Sequence, residues 1–330
     1  MLIALDGMGG DHAPAAPVAG ALQAVREFGV EVALVGPSAV LEEELARHGP
    51  RPSGILIAPA SETIGMDEPG AQAARQKRDS SIAVGMTMVK EGAAAAFVSA
   101  GNTGACMAAA VMVLGRVPGV DRPALGVAMP TTTGRPTFLL DVGANAEARP
   151  GYLVQFAYMG QAYVERAFGV ERPRVGLLSI GEEAGKGNQL VQEAHGLLRK
   201  QSRLNFIGNV EGKDIVRGVA DVVVTDGFTG NVVLKASEGV ADLVLGELRW
   251  ALTSRRRYRL AALAVRSAVL DVRRRLDYAE YGGAPLLGVN GVVAVAHGRS
   301  DARAIRSALR MAHQIAQGGL TGAMREALKA

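Results

Sequence analysis

The chain has 330 residues, enough for one large α/β unit or two lobes; 48% are hydrophobic and only 4% aromatic, so its interior is mostly Ala, Val and Leu. Its single cysteine, Cys106, excludes an internal disulfide or a cysteine-rich metal site and fits a reducing compartment, with the cytoplasm as the default. The net charge of +4 is unevenly placed: residues 249–278 carry nine arginines against Asp271 and Asp277, so the remainder is net acidic and a general nucleic-acid partner is not expected.

Met1-Leu-Ile-Ala-Leu-Asp6 lacks a basic start and meets an acid at its sixth position, so it reads as a strand and not a signal peptide. A glycine turn over 6–14 then leads into a helix to about residue 28. A strand at 31–35 precedes a helix capped by Ser38, with Glu42, Glu43 and Glu44 in its first turns, where acid complements the dipole. Another strand follows at 55–58. Residues 61–78 are polar and irregular, contain Arg75, Lys77 and Arg78, and read as a lid. Asp79-Ser-Ser81 starts a helix to about residue 90, and a strand to residue 98 delivers the chain to a turn at Ser99. The nearly uncharged run 104–115, a buried helix to about residue 114, is too short for a bilayer, which needs about 20 residues. Residues 124–129 and 137–141 read as a hairpin, so the sheet is mixed. A helix over 152–168, strands at 174–179, 205–209 and 221–225, a strand region at 287–296 and a helix over 301–317 complete the alternation.

The stretch 221–239 reads as a buried strand, a polar turn and a helix built to hold an anion. Val222, Val223 and Val224 are continuous and β-branched, Gly227 and Gly230 let the backbone turn, and Thr229 can cap the helix after them. Unpaired N–H groups and the dipole at a helix start bind phosphate without a dedicated cation. One such turn is more simply a well-capped βα connection, but the arrangement recurs. Ser99-Ala-Gly-Asn-Thr-Gly-Ala105, Asp141-Val-Gly-Ala-Asn145 and Ile180-Gly-Glu-Glu-Ala-Gly-Lys-Gly-Asn188 all follow strands. In open α/β sheets the ligand crevice lies outside the carboxyl ends of the strands, so these turns are expected to converge on one cleft.

The inserted-looking piece is the helical region 232–278. Tyr258, Ala262, Val265, Val269, Val272 and Leu276 recur at steps of four and three, a seam for another helix. Leu260, Leu263 and Leu270 form a second apolar side, flanked by Arg256, Arg259, Arg266, Arg273 and Arg274. That pattern suits a helix on anionic lipid or one receiving an acidic protein; an arginine-rich solvated face on a dimer helix is the plainer alternative.

Several motifs fail. Gly7-Met-Gly-Gly-Asp-His12 has His12 where a dinucleotide fingerprint needs its third glycine, and 181–187 is one residue short of a P-loop and lacks the Ser or Thr after Lys186. The histidines lack metal spacing, and the neighbours of Cys106 mark it as core rather than thioester nucleophile. Lys186 among glycines is a point cation that backbone can approach. His12, beside Asp11, is placed to orient or protonate a substrate, or is structural; His297 is equally ambiguous.

Seven segments in order carry a resemblance: Asp6-Gly-Met-Gly-Gly-Asp-His-Ala-Pro14, the three turns above that begin at Ser99, Asp141 and Ile180, Asn209-Val-Glu-Gly212, Asp226-Gly-Phe-Thr-Gly-Asn231, and Glu280-Tyr-Gly-Gly-Ala-Pro-Leu-Leu-Gly-Val-Asn-Gly291. Together they resemble the bacterial phosphate acyltransferase family over nearly the whole chain. The resemblance implies transfer of a long acyl chain from acyl carrier protein to inorganic phosphate, giving an acyl phosphate for glycerol-3-phosphate acylation in phospholipid synthesis. It implies a homodimer without cofactor or metal, cytoplasmic and peripherally membrane-associated, beside the membrane glycerol-3-phosphate acyltransferase. The implied fold is a three-layer α/β/α sandwich with a mainly parallel mixed sheet, like the isocitrate- and isopropylmalate-type dehydrogenases. Residues 1–330 would form one catalytic unit, with a helical hairpin over about 232–278 protruding for dimer and membrane or carrier contact.

Phosphate is a competent nucleophile near neutral pH and a thiol a good leaving group, so positioning should outweigh a strong base. The candidate catalytic residues are Lys186, His12 and Asn231. Phosphate or substrate is expected at Asp11, Asn102, Thr103, Gly104, Asn145, Asn188, Asp226, Thr229 and Gly230. Lys186 would act as a cation on phosphate or oxyanion, or as a covalent acyl acceptor. The rivals are a metal-dependent oxidative decarboxylase on a related fold, which would need a carboxylate cluster and a cofactor fingerprint, and a non-enzymatic membrane-bound scaffold.

Overall fold

The computed structural model describes residues 1–255, 258, 262, 265–272 and 282–329. Short aliphatic runs form β1 (Leu2–Asp6), β2 (Glu31–Gly36), β3 (Ile55–Pro59), β4 (Ala96–Ser99), β5 (Ala124–Met129) and β6 (Thr137–Leu140). They continue as β7 (Arg174–Leu178), β8 (Asn205–Val210), β9 (Val222–Val224), β10 (Ala284–Leu287) and β11 (Val292–Val295), in one sheet ordered β3-β2-β1-β4-β11-β10-β5-β6-β9-β7-β8.

Successive strand residues point to opposite faces, and both faces are buried at the central strands, while Leu56 of β3 and Ile207 of β8 are exposed at the edges. Ile3, Leu5, Val98, Phe138, Leu140, Val222 and Val224 pack on one side with α1 (Ala15–Phe28), α2 (Ser38–Ala46), α6 (Pro150–Phe168) and the helix Ala302–Gln317. Ala4, Phe97, Leu139 and Val223 pack on the other side with α3 (Gly70–Gln76), α4 (Ser81–Lys90), α5 (Thr103–Ala109) and α8 (Gly212–Arg217). The result is the expected three-layer sandwich with a mainly parallel mixed sheet. Strands 124–129 and 137–140 do form the antiparallel hairpin.

The reversal at the sheet centre means that the turns expected to converge on one cleft do not all leave the sheet in the same sense. β11 to β10, β10 to β5 and β5 to β6 are all antiparallel steps. Three reversals leave β6, β9, β7 and β8 running opposite to β1, β4 and β11, so the two sets of turns leave the sheet in opposite senses. The register still holds them near one another in level. Leu286 faces both Val293 and Leu125, and the Leu125 amide donates to Asp141 Oδ1 at 3.1 Å, so β6 and β11 stop at nearly the same height.

Other readings change locally. Residues 61–78, read as a lid, are not irregular throughout. They contain α3, and Asn102 Nδ2 donates to the carbonyls of Gly65 (3.2 Å), Met66 (3.3 Å) and Glu68 (2.8 Å). The region 287–296 is the tight hairpin β10–β11, because Gly288 takes a left-handed φ of 88° between the strands. Ser38 is the first residue of α2 after Pro37 and makes no cap bond. The run 104–114 belongs to α5 and a π-helical turn, Ala110–Leu114, whose Val111 and Met112 are exposed, so only one side is buried. A closing helix, Leu320–Ala327, follows the one at Ala302–Gln317.

Candidate active site

The first set of turns is built on Asp6, buried at the end of β1. Its carboxylate accepts the Ser99 hydroxyl at 2.7 Å and the Met8 amide at 3.0 Å, while burial pushes its pKa above 3.8. The Ser99 hydroxyl accepts the Gly101 amide at 2.9 Å, and the Asp11 amide donates to the Gly298 carbonyl at 2.8 Å, so the turns after β1, β4 and β11 form one body. Asp11, His12, Thr103 and Gly104 are exposed on it. Asn102 is buried, its Oδ1 accepting the Ala105 amide at 3.0 Å as the cap of α5 and its Nδ2 committed to the 65–68 carbonyls. Its side chain is thus engaged on both sides within the protein. Cys106 is buried in α5, and burial pushes its thiol up to about 12, which is incompatible with a thiolate nucleophile near neutral pH.

The second set is built on Asp141. Its carboxylate accepts the amides of Leu125 (3.1 Å), Gly143 (3.1 Å), Ala144 (2.9 Å) and Asn145 (2.8 Å), so the 141–145 turn is wrapped around a protein carboxylate. Asn145 Nδ2 donates to Asp141 Oδ2 and to the Pro123 carbonyl, both at 2.8 Å. Helix α9 (Gly227–Thr253) docks here. Its cap is Asp226 and not Thr229: Asp226 Oδ1 accepts the Thr229 amide and Oδ2 the Thr229 hydroxyl, both at 2.8 Å. The Gly227 amide donates to the Asn145 carbonyl at 2.8 Å. Three donors at this helix start are therefore already engaged within the protein. Asp226, Thr229 and Asn145 shape the turn, while Asn231 is exposed beside Gly143.

The third turn follows β7, next to β9. Lys186 is exposed, and its amide donates to the Glu183 carbonyl at 3.0 Å, closing the glycine loop. Asn188 Oδ1 accepts the Val191 amide at 3.0 Å as the cap of α7 (Gln189–Leu198). Ile180, 80% exposed, and Phe228, 66% exposed, flank the loop at the ends of these neighbouring strands.

Helix α9 connects the sets. Asn231 and Lys235 lie four residues apart, hence on one helical face. Lys235 Nζ sits 3.3 Å from His297 Nε2 and 2.9 Å from Glu238, so α9 reaches from the Asp141 turn to the body carrying Asp11. Burial, then the Lys235 ammonium, hold the His297 imidazole below 6.5, although Glu238 opposes this. The lowered pKa favours the neutral imidazole, and the Arg299 amide donates to its Nδ1 at 3.2 Å. Sequence reasoning passed over Lys235; its helical spacing from Asn231 was the available signal.

Among the described residues, Glu182, Glu211 and Asp214 present carboxylates close enough to share a metal ion. Lys213 pairs with Glu211, Asp214 Oδ2 accepts the Glu211 amide at 3.0 Å, and Arg217 lies 3.6 Å from Asp214, so protein groups already engage that charge. Of the residues expected on the membrane or carrier face, Arg266 and Leu270 are exposed within a helical stretch at 265–272. Arg256, Arg259, Leu260, Leu263 and Arg273 lie outside the described residues.

The 61–79 segment gives a pH prediction. Lys77 Nζ and the Gly65 amide hold the Glu68 carboxyl below 4.5, and the Ser61 hydroxyl and amide hold that of Asp79 below 3.8. Depressed pKa values contribute stability above the unfolded values and lose it as pH falls through the folded ones. Hydrogen exchange over 61–79, referenced to the unfolded chain, should lose protection below about pH 4. Unchanged protection there would show that these contacts do not hold the segment.

A family model described as "Fatty acid synthesis protein" matches residues 1–322. A phosphate acyltransferase of Thermus thermophilus is 53% identical over 330 residues, covering 100% of this chain and 99% of that protein. Among solved structures, the EutD phosphotransacetylase of Staphylococcus aureus matches with a TM-score of 0.62 at 16% identity, over 96% of this chain and 94% of that one. A 4-hydroxythreonine-4-phosphate dehydrogenase of Klebsiella pneumoniae matches with a TM-score of 0.58 at 15% identity, over 96% and 99%. These two share the fold, which agrees with the sandwich described above. With the family model spanning nearly every residue and identity above half along the full length, the chain belongs to the bacterial phosphate acyltransferase family.

Proposed function

We propose that this enzyme transfers a long-chain fatty acyl group from acyl carrier protein to inorganic phosphate, supplying acyl phosphate for glycerol-3-phosphate acylation. The observation that carries the chemistry is Lys186, an exposed cation on a closed glycine loop between β7 and α7. A phosphate oxygen attacks the thioester carbonyl, a C–O bond forms, the C–S bond breaks, and the thiol leaves as its sulfur takes a proton. Lys186 stabilises the oxyanion of the tetrahedral intermediate, with Asn231 and the Asp11–His12 turn orienting the reactants. Thiol release from acyl carrier protein loaded with a long chain, with and without inorganic phosphate, tests this. Release independent of phosphate would overturn it.

Ile180 and Phe228 offer the apolar surface that such a chain would cover. Phe228→Ser should lower kcat/KM for a long-chain donor about tenfold and leave a short-chain donor nearly unchanged. Equal losses on both would remove Phe228 from the acyl seat.

The chain is proposed to act as a single α/β unit and as a homodimer in the cytoplasm, in peripheral contact with the membrane. No helix among the described residues is long and apolar enough to cross a bilayer. Only Gly227 and Gly230 of α9 are buried, while Val240, Leu243, Val244 and Trp250 are exposed, and a second copy is the simplest cover for them. The arginine-rich segment beyond it suits anionic lipid or acidic carrier protein. Light scattering should report twice the chain mass for the native protein, and polar replacement of Leu260, Leu263 and Leu270 should release it from anionic vesicles with turnover spared. A monomer, or vesicle binding unaffected by those replacements, would contradict the corresponding part.

A further inference from the structure

We propose that His195 and Asn209 are positioning residues for Lys186; this rests on the reading above that Lys186 acts in acyl transfer. Both side chains are buried, His195 7% and Asn209 6% exposed. Asn209 Nδ2 donates to the Glu183 carbonyl at 2.8 Å, the same oxygen that receives the Lys186 amide at 3.0 Å. One carbonyl therefore ties the closing bond of the glycine loop to a side chain rooted in β8. A second tie, Gln192 Nε2 to the Gly187 carbonyl at 3.0 Å, lies on the exposed side. Ser179 Oγ, buried beneath the loop and 3.0 Å from where a Cβ on Gly187 would sit, has no hydrogen-bond partner within the protein. Asn209 is thus the buried side-chain anchor of this loop.

The bond to Glu183 decides the rest. A carbonyl accepts only, so the amide of Asn209 is oriented with Nδ2 toward Glu183 and Oδ1 toward His195. His195 Nδ1, 2.9 Å from that oxygen, must then carry a proton. The ring is braced edge-on by Phe206, with centroids 5.3 Å apart, and stands on α7 three residues after Gln192. Helix α7 and strand β8 together fix Asn209, Asn209 fixes the Glu183 carbonyl, and that carbonyl sets the path of the backbone presenting Lys186. His195 thus acts through the position it gives Asn209.

The test compares native protein, His195→Leu, His195→Asn and Asn209→Asp in the phosphate-dependent thiol-release assay, with hydrogen exchange over 181–187 measured on the same samples. Leucine leaves Asn209 Oδ1 buried and unpaired, asparagine restores a donor at the δ position, and aspartate turns an oxygen toward the Glu183 carbonyl. Displacing a reacting group by about 1 Å can cost up to about a hundredfold in rate. His195→Leu should lower kcat at least about tenfold with KM for the acyl donor unchanged, Asn209→Asp should lower it further, and His195→Asn should stay within about threefold of native. The shape of the pH–rate profile should be the same in native and His195→Asn. Exchange over 181–187 should rise in the Leu and Asp variants only. Folded His195→Leu with native kcat, His195→Asn no better than His195→Leu, or exchange over 181–187 unchanged in Asn209→Asp would overturn the assignment. Absence of phosphate-dependent release from the native protein would instead overturn the acyltransferase reading, and the exchange arm would still decide whether the network holds the loop.

Discussion

Lys186→Ala should reduce phosphate-dependent kcat by about 10²–10³-fold, the range seen when one oxyanion-stabilising donor is removed, while its circular dichroism and thermal transition match the native protein. Both halves follow from the site. The Lys186 side chain is exposed, so truncation creates no cavity and leaves the loop-closing bond from its amide to Glu183 in place. What disappears is the positive charge on that loop. In a transition state that gathers charge on the thioester oxygen, a fixed cation acts without reorganisation, whereas water must reorient. Lys186→Arg keeps the charge on a larger planar group and should recover only part of the rate. If lysine instead accepted the acyl group, a quenched reaction would contain an amide adduct at this residue, and mass spectrometry would find it. A Lys186→Ala enzyme with native kcat would remove the residue from the chemistry altogether.

Gly230→Ala should be the most damaging single methyl group in the fold. A Cβ there would lie 1.8 Å from the Asp141 carbonyl oxygen and 3.0 Å from Thr225 Cγ2, and the first of these is backbone at the end of a buried strand. Neither α9 nor β6 can yield by rotating a side chain, so helix and strand must separate. Overpacking of this kind costs about 1–3 kcal/mol where neighbours can adjust, and more where they cannot. Because α9 carries both Asn231 and Lys235, loss of activity should accompany loss of stability. Gly196→Ala is the control: it sits in α7, where an added Cβ would meet no atom within 4 Å, and removing helix glycine should stabilise by about 0.5–1 kcal/mol. Equal melting temperatures for native and Gly230→Ala would refute the packing argument.

These glycines also mark where reasoning from sequence stops. The residues of 225–231 identify a strand, a sharp turn and a helix start, because β-branched runs, glycine and capping side chains act locally. The same local physics makes the hairpin at 124–140, the α/β alternation and the core position of Cys106 legible. It does not say who occupies the helix start. Asp226 caps the helix from within the same turn, but Asn145 arrives from the turn after β6 to take the Gly227 amide that would otherwise await an anion. Nor does it reveal that Asn102 directs its amide to three carbonyls of the 65–68 segment.

The family, the glycine turns and Lys186 are readable from the chain alone, since each depends on residue identity and near neighbours. That the turns leave the sheet in two opposite senses is a property of the folded molecule, because strand direction is set by which strands pair, through three antiparallel contacts between distant segments. Folding likewise brings Lys235 of α9 to His297, 62 residues away, and stands His195 behind Asn209 under the loop of Lys186. Those contacts arise from packing on a shared sheet, and no spacing along the chain encodes them.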